Sequence, residues 1–171
     1  MQQFKNRNRR GFTLIEVLIV VVILGILAAT VLPQFASSTA NAKESSLRAD
    51  LSQIRAQIQL YKFQHDGALP SGTAANVLAQ LTQQTDINGN VAPTVGAAGY
   101  TYGPYLINQL PNNPYVTNGN GLVVVNSALT PASAAPAAGS GWVYSILTGQ
   151  VISNTSTTQM TADGTTQLSA L

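Results

Sequence analysis

Among the side chains able to do chemistry, Glu16 occupies the least expected position. It lies in FTLIEVLIVVVILGILAATVL, residues 12–32, where Thr13 and Thr30 are the other polar residues and Gly25 is the one weak helix former. An acid at the centre of a membrane helix costs roughly 2.5–3.5 kcal/mol on insertion scales, so such residues pair or mark function. The run itself contains no base, although Lys5, Arg7, Arg9 and Arg10 precede it. A cut between Gly11 and Phe12 would create an α-amino group four residues from Glu16. Amine and carboxylate, on one chain or on neighbouring chains, would then attract far more strongly in a low-dielectric setting than in water. Gly11 suits such a cut because a small, flexible residue can extend into a protease cleft.

The remaining chemistry is sparse. His65 is the sole histidine and stands beside Asp66; it reads as a solvent-exposed residue at a helix end, helped by the C-terminal dipole. Nothing near it completes a triad. Asp86 with Asn88, and Asp163 with Gly164, could each offer oxygen to calcium, yet each lacks the second carboxylate that a hard cation usually takes. The NGNG stretch at 118–121 has no helix behind it to make a phosphate loop. Trp142 and Tyr144 read as sheet core. With no cysteine there is no disulfide, thiolate nucleophile or Cys-based metal site. These residues predict neither an enzyme nor a bound cofactor.

Charge points the same way. The chain of 171 residues carries net charge +2 and has a pI near 9.1, but four of its eight bases fall in the first ten positions. Beyond them Lys43, Arg48, Arg55 and Lys62 face six acids, so the basic pI belongs to a tip and gives no support for a nucleic-acid partner. Charged residues make up only 8% and hydrophobic ones 45%, against about 25% charge in an ordinary soluble domain. This suits an extracytoplasmic or assembled protein: one modest domain with a long appended element.

The elements that must position Glu16 follow from patterning. About 20 apolar residues at 1.5 Å rise cross a hydrocarbon core of about 30 Å, and the preceding bases would hold the N-terminus on the cytoplasmic side. Two other readings compete here: a secretory signal peptide cut near Ala28 and Ala29, and a plain anchor whose Glu16 reaches back to the interface. Pro33 should kink or interrupt the helix. Residues 34–65 lack Gly and Pro and carry Leu47, Leu51, Ile54, Ile58 and Tyr61 as one apolar stripe, with Lys43, Arg48, Arg55 and Lys62 on the other face. Asp66-Gly67-Ala68-Leu69-Pro70 is a stop signal in which glycine can take a left-handed cap. A short helix is expected within 71–85, capped by Ser71 or Thr73, then a turn-rich loop over 86–104. Strands are expected at 122–125, 142–147 and 151–153, with a small-residue loop at 130–141 and a polar, poorly ordered or edge-like tail from Asn154.

The GFTLIEV segment, with its basic leader and apolar helix, resembles the N-terminal cleavage and methylation segment of type IV pilins and type II secretion pseudopilins. The resemblance implies an α+β pilin fold, a long N-terminal helix packed on a small antiparallel β-sheet. It implies a leader, 1–11, removed by a prepilin peptidase after Gly11, with methylation of the new amine on Phe12. It further implies a transmembrane and assembly helix at 12–35, an amphipathic continuation at 36–66 and a periplasmic globular domain at 67–171. Glu16 would act in assembly by meeting the amine of an adjacent subunit, and Pro33 would lie near where the helix loosens in filaments. YLINQLPNNPYV, 105–116, is similar to the pseudopilin branch, although Asn113 stands where Asp is usual and Tyr115 where Trp is frequent. That branch implies a structural subunit of a pseudopilus driving protein export, anchored once in the inner membrane. Its partners would be other copies of itself, the peptidase and methylase, an inner-membrane assembly platform and minor pseudopilins. It also implies a calcium site in the loop near the C-terminus, for which Asp163 is the one candidate. A type IV pilin for adhesion, motility or DNA uptake is the alternative within the resemblance. A membrane-anchored periplasmic binding domain, gripping a ligand with residues 100–153, is the alternative of another class.

Overall fold

A computed structural model describes residues 11–134 and 139–171. The leader positions before Gly11 and part of the 130–141 loop lie outside the described residues. The chain forms two units, Met1–Thr39 and Ala40–Leu171, each described here on its own terms. Helix α1, Leu14–Gln64, contributes to both.

In the first unit α1 is apolar on every face, and its large side chains stay open, from 41% exposed at Val31 to 84% at Leu14, with Phe12 just before the helix at 88%. Its most apolar window has a mean hydropathy of 3.0, and the helix is long and apolar enough to cross a membrane. The helix continues through Pro33 rather than stopping there. Proline removes one N–H donor from the ladder, and the flanking turns hold: Thr30 Oγ1 donates to the Leu27 carbonyl at 2.9 Å and Ser37 Oγ to that of Gln34 at 2.9 Å.

The second unit is built on the stripe that the sequence marks. Leu47, Leu51, Ile54, Ile58 and Tyr61 are all buried, each apolar side chain contributing roughly 1.5–3 kcal/mol relative to exposure. Against them pack Val77 and Leu81 of α2 (Ala74–Thr82), Leu106, Leu110, and the sheet residues Trp142, Tyr144 and Val151. The α1 helix ends as the stop signal requires. Asp66 (φ 51°) and Gly67 (φ 87°) both take positive φ, and Gly67 N donates back to Lys62 O at 2.8 Å, the long-reach bond of a Schellman cap. Thr73 caps α2 by accepting from Asn76 N.

The sheet has three strands, β1 (Gly121–Val125), β2 (Ser140–Ser145) and β3 (Val151–Ser153), in the order β1-β2-β3. It is mixed rather than wholly antiparallel, which corrects the sequence expectation. Strand β1 runs parallel to β2, with Leu122 opposite Trp142 and Val124 opposite Tyr144. Strand β2 runs antiparallel to β3, with Tyr144 opposite Val151. Connection length decides between the two arrangements. A tight turn at 146–150, closed by Gly149 N donating to Ser145 O at 2.9 Å with Gly149 at φ 74°, can only return the chain antiparallel. The longer 126–139 connection permits the crossover that a parallel pair needs.

The tail from Asn154 is a second correction. Thr155, Thr161, Leu168 and Ser169 are buried, Leu168 belongs to the main core, and Leu168–Ala170 forms a 3₁₀ turn. Polar composition suggests disorder, but Thr161 and Thr165 donate to Asp163, Thr161 and Thr166 pair through the backbone, Thr155 accepts from Ser153, and Leu168 anchors the segment in the core. Arg55 is likewise not on a free face: its Nη2 donates to Val151 O at 2.8 Å and also to the Leu171 carbonyl, tying α1 to β3 and the tail.

Candidate functional site

The N-terminal segment places Glu16 in a reciprocal cap. Helix α1 begins at Leu14, so Thr13 is its N-cap and Glu16 the third helical residue. Thr13 N and Thr13 Oγ1 both donate to Glu16 Oε2 at 2.8 Å, and Glu16 N donates to Thr13 Oγ1 at 3.3 Å. This is a capping box, which fills backbone donors that an α-helix leaves open at its start. Thr13 is the functional neighbour that the sequence reading passed over, and the Thr-x-x-Glu spacing was the available signal. The second carboxylate oxygen of Glu16, Oε1, has no protein partner among the described residues. Phe12, Glu16, Val17, Ile19, Val20 and Val21 line an apolar groove on this helix. An acid with one oxygen fixed and one open, set in uncovered apolar surface, is equipped to receive a cation from outside the chain.

The histidine is not where the sequence reading put it. His65 is 2% exposed and its ring stacks on Tyr61, 3.8 Å between centroids and 8° between planes. Nδ1 lies 2.9 Å from Tyr61 O, which can only accept, so Nδ1 carries the proton there; Nε2 pairs with Thr85 Oγ1 at 3.0 Å. Thr85 is held in turn by Tyr102 through both backbone groups, at 2.9 and 3.1 Å. Spacing could have revealed this, because His65 follows Tyr61 by four and so continues the stripe. Burial pushes the Tyr61 hydroxyl up to about 12. The cluster is a satisfied polar lining of the core, and it offers no nucleophile.

Asn113 and Trp142 knit the sheet to the 105–116 segment. Asn113 is fully buried, and its Nδ2 donates to Gly141 O at 2.8 Å and Ser153 Oγ at 3.0 Å while its Oδ1 accepts from Tyr115 N at 2.9 Å. Trp142 Nε1 donates to Pro111 O at 2.8 Å. Asparagine at 113 suits this geometry: the Gly141 carbonyl, which also accepts from Asn154 N at 2.9 Å, takes a second donor from the amide, which a carboxylate could not supply.

Both acids weighed for calcium serve their own loops. Asp86 Oδ1 accepts from Asn88 N and Asn90 N, each at 2.9 Å, and its Oδ2 from Asn90 Nδ2 at 2.8 Å; these bonds, the Asn90 side chain foremost, lower its pKa. Asp163 Oδ1 accepts from Thr161 Oγ1 and from Thr165 N and Oγ1, which lower its pKa to about 2, the Thr161 bond contributing most. Glu44 reaches the same loop, Oε2 accepting from Ala162 N at 2.7 Å and Oε1 from Arg48 Nη2 at 2.8 Å; the Ala162 bond is the larger cause of its lowered pKa. No group of three His, Cys, Asp or Glu side chains converges among the described residues.

Comparison with known proteins places this geometry. Residues 6–32 match the prokaryotic N-terminal methylation motif. The type II secretion system core protein G of Pseudomonas aeruginosa is 48% identical over 58 residues, 34% of this chain and 41% of that protein. The core protein G of Vibrio cholerae is 33% identical over 111 residues, 65% of this chain and 68% of that protein. The fimbrial protein of Neisseria meningitidis is 37% identical over 90 residues, 53% of this chain and 51% of that protein. The chain thus spans about two fifths of the length of the first relative and two thirds of the second. No solved structure matches.

Proposed function

Because the chain belongs to the family of type II secretion system core protein G, within the pilin-like proteins, we propose that it is a non-enzymatic structural subunit of a pseudopilus that drives protein export. The observation that carries the reading is Glu16, half satisfied by Thr13 and half open, in an apolar helix that nothing in its own unit covers. In this reading a prepilin peptidase cuts after Gly11 and the new amine on Phe12 is methylated. The subunit waits in the inner membrane as a single-pass protein with its basic end cytoplasmic and its globular unit in the periplasm. Its domains are the leader 1–11, the membrane and assembly helix 12–35, the amphipathic helix 36–66 and the globular part 67–171. An assembly platform then lifts it into the filament. There Glu16 Oε1 meets the amine of a neighbouring copy, the apolar faces adhere, and Pro33 supplies a point at which the helix can loosen. Minor pseudopilins would share the filament.

The first test is a mass measurement of the mature chain from its host. A product that begins with N-methylated Phe12 is expected; an intact Met1, or a start near Thr30, would overturn the reading. The fimbrial relative favours a second reading, a type IV pilin. Deletion of the gene separates the two: loss of exported enzymes marks the pseudopilus, whereas loss of adhesion or surface motility with export intact marks the pilus.

A further inference from the structure

The resemblance to major pseudopilins implies calcium in the loop near the C-terminus, and the side chains around Asp163 can be tested for it. Calcium takes six to eight oxygen ligands, usually with more than one carboxylate. Asp163 is the sole acid from Asn154 onward. Its Oδ1 already accepts from Thr161 Oγ1, from Thr165 Oγ1 at 2.8 Å and from Thr165 N at 3.0 Å. The one other carboxylate at the loop, Glu44, is spent on Ala162 N and on the Arg48 guanidinium. The groups turned toward these two acids are therefore donors: two hydroxyls, two backbone N–H groups and a cation. Backbone N–H groups cannot ligate calcium, and Arg48 repels it. The donor set does not fit the metal.

The same contacts do the work a cation would do. Thr161 N donates to Thr166 O at 2.7 Å, Gly164 N to Thr161 O at 2.8 Å, and Thr166 N to Thr161 Oγ1 at 3.1 Å, so the loop closes around Asp163. Glu44 then fastens it to α1. Immediately after the loop, Leu168 N donates to Gln159 O at 2.9 Å and the Leu168 side chain enters the core fully buried.

We propose that in this chain the 161–166 loop is fixed by Asp163 from within and by Glu44 from α1 in place of a divalent cation, so that docking of the tail does not depend on calcium. The inference concerns the folded subunit and holds for a pseudopilus or a pilus alike. Its test is thermal unfolding of the full-length chain in detergent, followed by the near-ultraviolet signal of Trp142, in chelator and in calcium up to about 1 mM, the weak end of biological sites. The midpoint should be the same in both solutions. Asp163→Ala should lower it by about 2–4 °C, equally with and without calcium. Asp163→Asn keeps the Oδ1 acceptor and should stay close to the parent, whereas a calcium site would tolerate neither change. A midpoint that rises with calcium in the parent overturns the proposal. So does an Asp163→Asn variant as weak as Asp163→Ala, or an Asp163→Ala variant with no loss. Should Asp163→Ala fail to fold, Glu44→Ala read in the same two solutions takes its place, with the same calcium-independent loss expected.

Discussion

The two ends of α1 are made of similar apolar side chains and meet opposite fates. Before Thr39 every large apolar residue among the described ones stays exposed, and no polar face opposes them. After Ala40 five of them, Leu47, Leu51, Ile54, Ile58 and Tyr61, form one stripe buried by α2, the sheet or the tail, while Leu60 and Phe63 off the stripe stay exposed. The difference lies in periodicity rather than in hydrophobicity. A stripe can be covered by elements of its own chain, whereas an all-round apolar surface needs lipid or other helices. One sequence therefore encodes a globular unit with its own core and an apolar helix that its own unit leaves uncovered. Substitutions should separate cleanly: those in the helix should change assembly and leave the globular unit's stability alone, and those in the globular unit the reverse.

The largest expected effect is that of Glu16→Ala. In the assembled state the carboxylate would be paired with an amine in a low-dielectric setting, and removing one member of such a pair costs about 3–5 kcal/mol because the other is left buried and unpaired. That is more than about a hundredfold in the association constant between subunits. Filaments collected by shearing and counted by electron microscopy should all but vanish, while cleavage after Gly11 continues. The unfolding midpoint of the globular unit should not move. Normal filaments from this variant would remove Glu16 from assembly and break the contrast between the two regions.

Next in size is Asn113→Asp, which acts only on the globular unit. The new carboxylate would face the Gly141 carbonyl and lose both bonds that Nδ2 now donates. It would keep the Tyr115 N–H on Oδ1, but a buried charge with its other oxygen turned to a carbonyl costs about 3 kcal/mol or more. Chemical denaturation followed through Trp142 should show that loss, with membrane insertion and N-terminal processing unchanged. Stability equal to the parent would mean that the 105–116 segment is not held to the sheet through this amide.

What was legible follows the same division. The buried stripe, the helix stop, Thr73 as one of two candidate caps and the existence of three strands could be read because each rests on local spacing, although β2 lies at Ser140–Ser145 rather than 142–147 because the turn to β3 already begins at 146. The acid at residue 16 could be read because it breaks a pattern. The parallel pairing of β1 with β2 could not, since spacing within a strand does not say which neighbour it finds. His65 was misplaced because a polar residue at a helix end was taken as exposed; its burial depends on the 85–105 segment folding over it, a tertiary fact. The packed tail escaped for a related reason: threonines that look like disorder in composition become order once Asp163 gives Thr161 and Thr165 an acceptor and Glu44 takes the Ala162 N–H beside them.

The smallest effect sharpens the comparison most, because both regions start a helix with threonine. Thr73 accepts from Asn76 N and begins α2, whose Val77 and Leu81 are core. Thr13 accepts from Glu16 N and begins α1 in the unit whose described residues are all exposed. Loss of such a cap costs typically about 1 kcal/mol. Thr73→Ala should therefore lower the unfolding free energy of the globular unit by about that amount and leave filament yield near the parent's. Thr13→Ala removes the same kind of bond but also frees Glu16 Oε2, so its consequence should appear as altered filament yield with no change in the globular midpoint. Equal losses of midpoint in the two variants would show that the helix start and the globular unit unfold together, and the separation drawn from burial would fail.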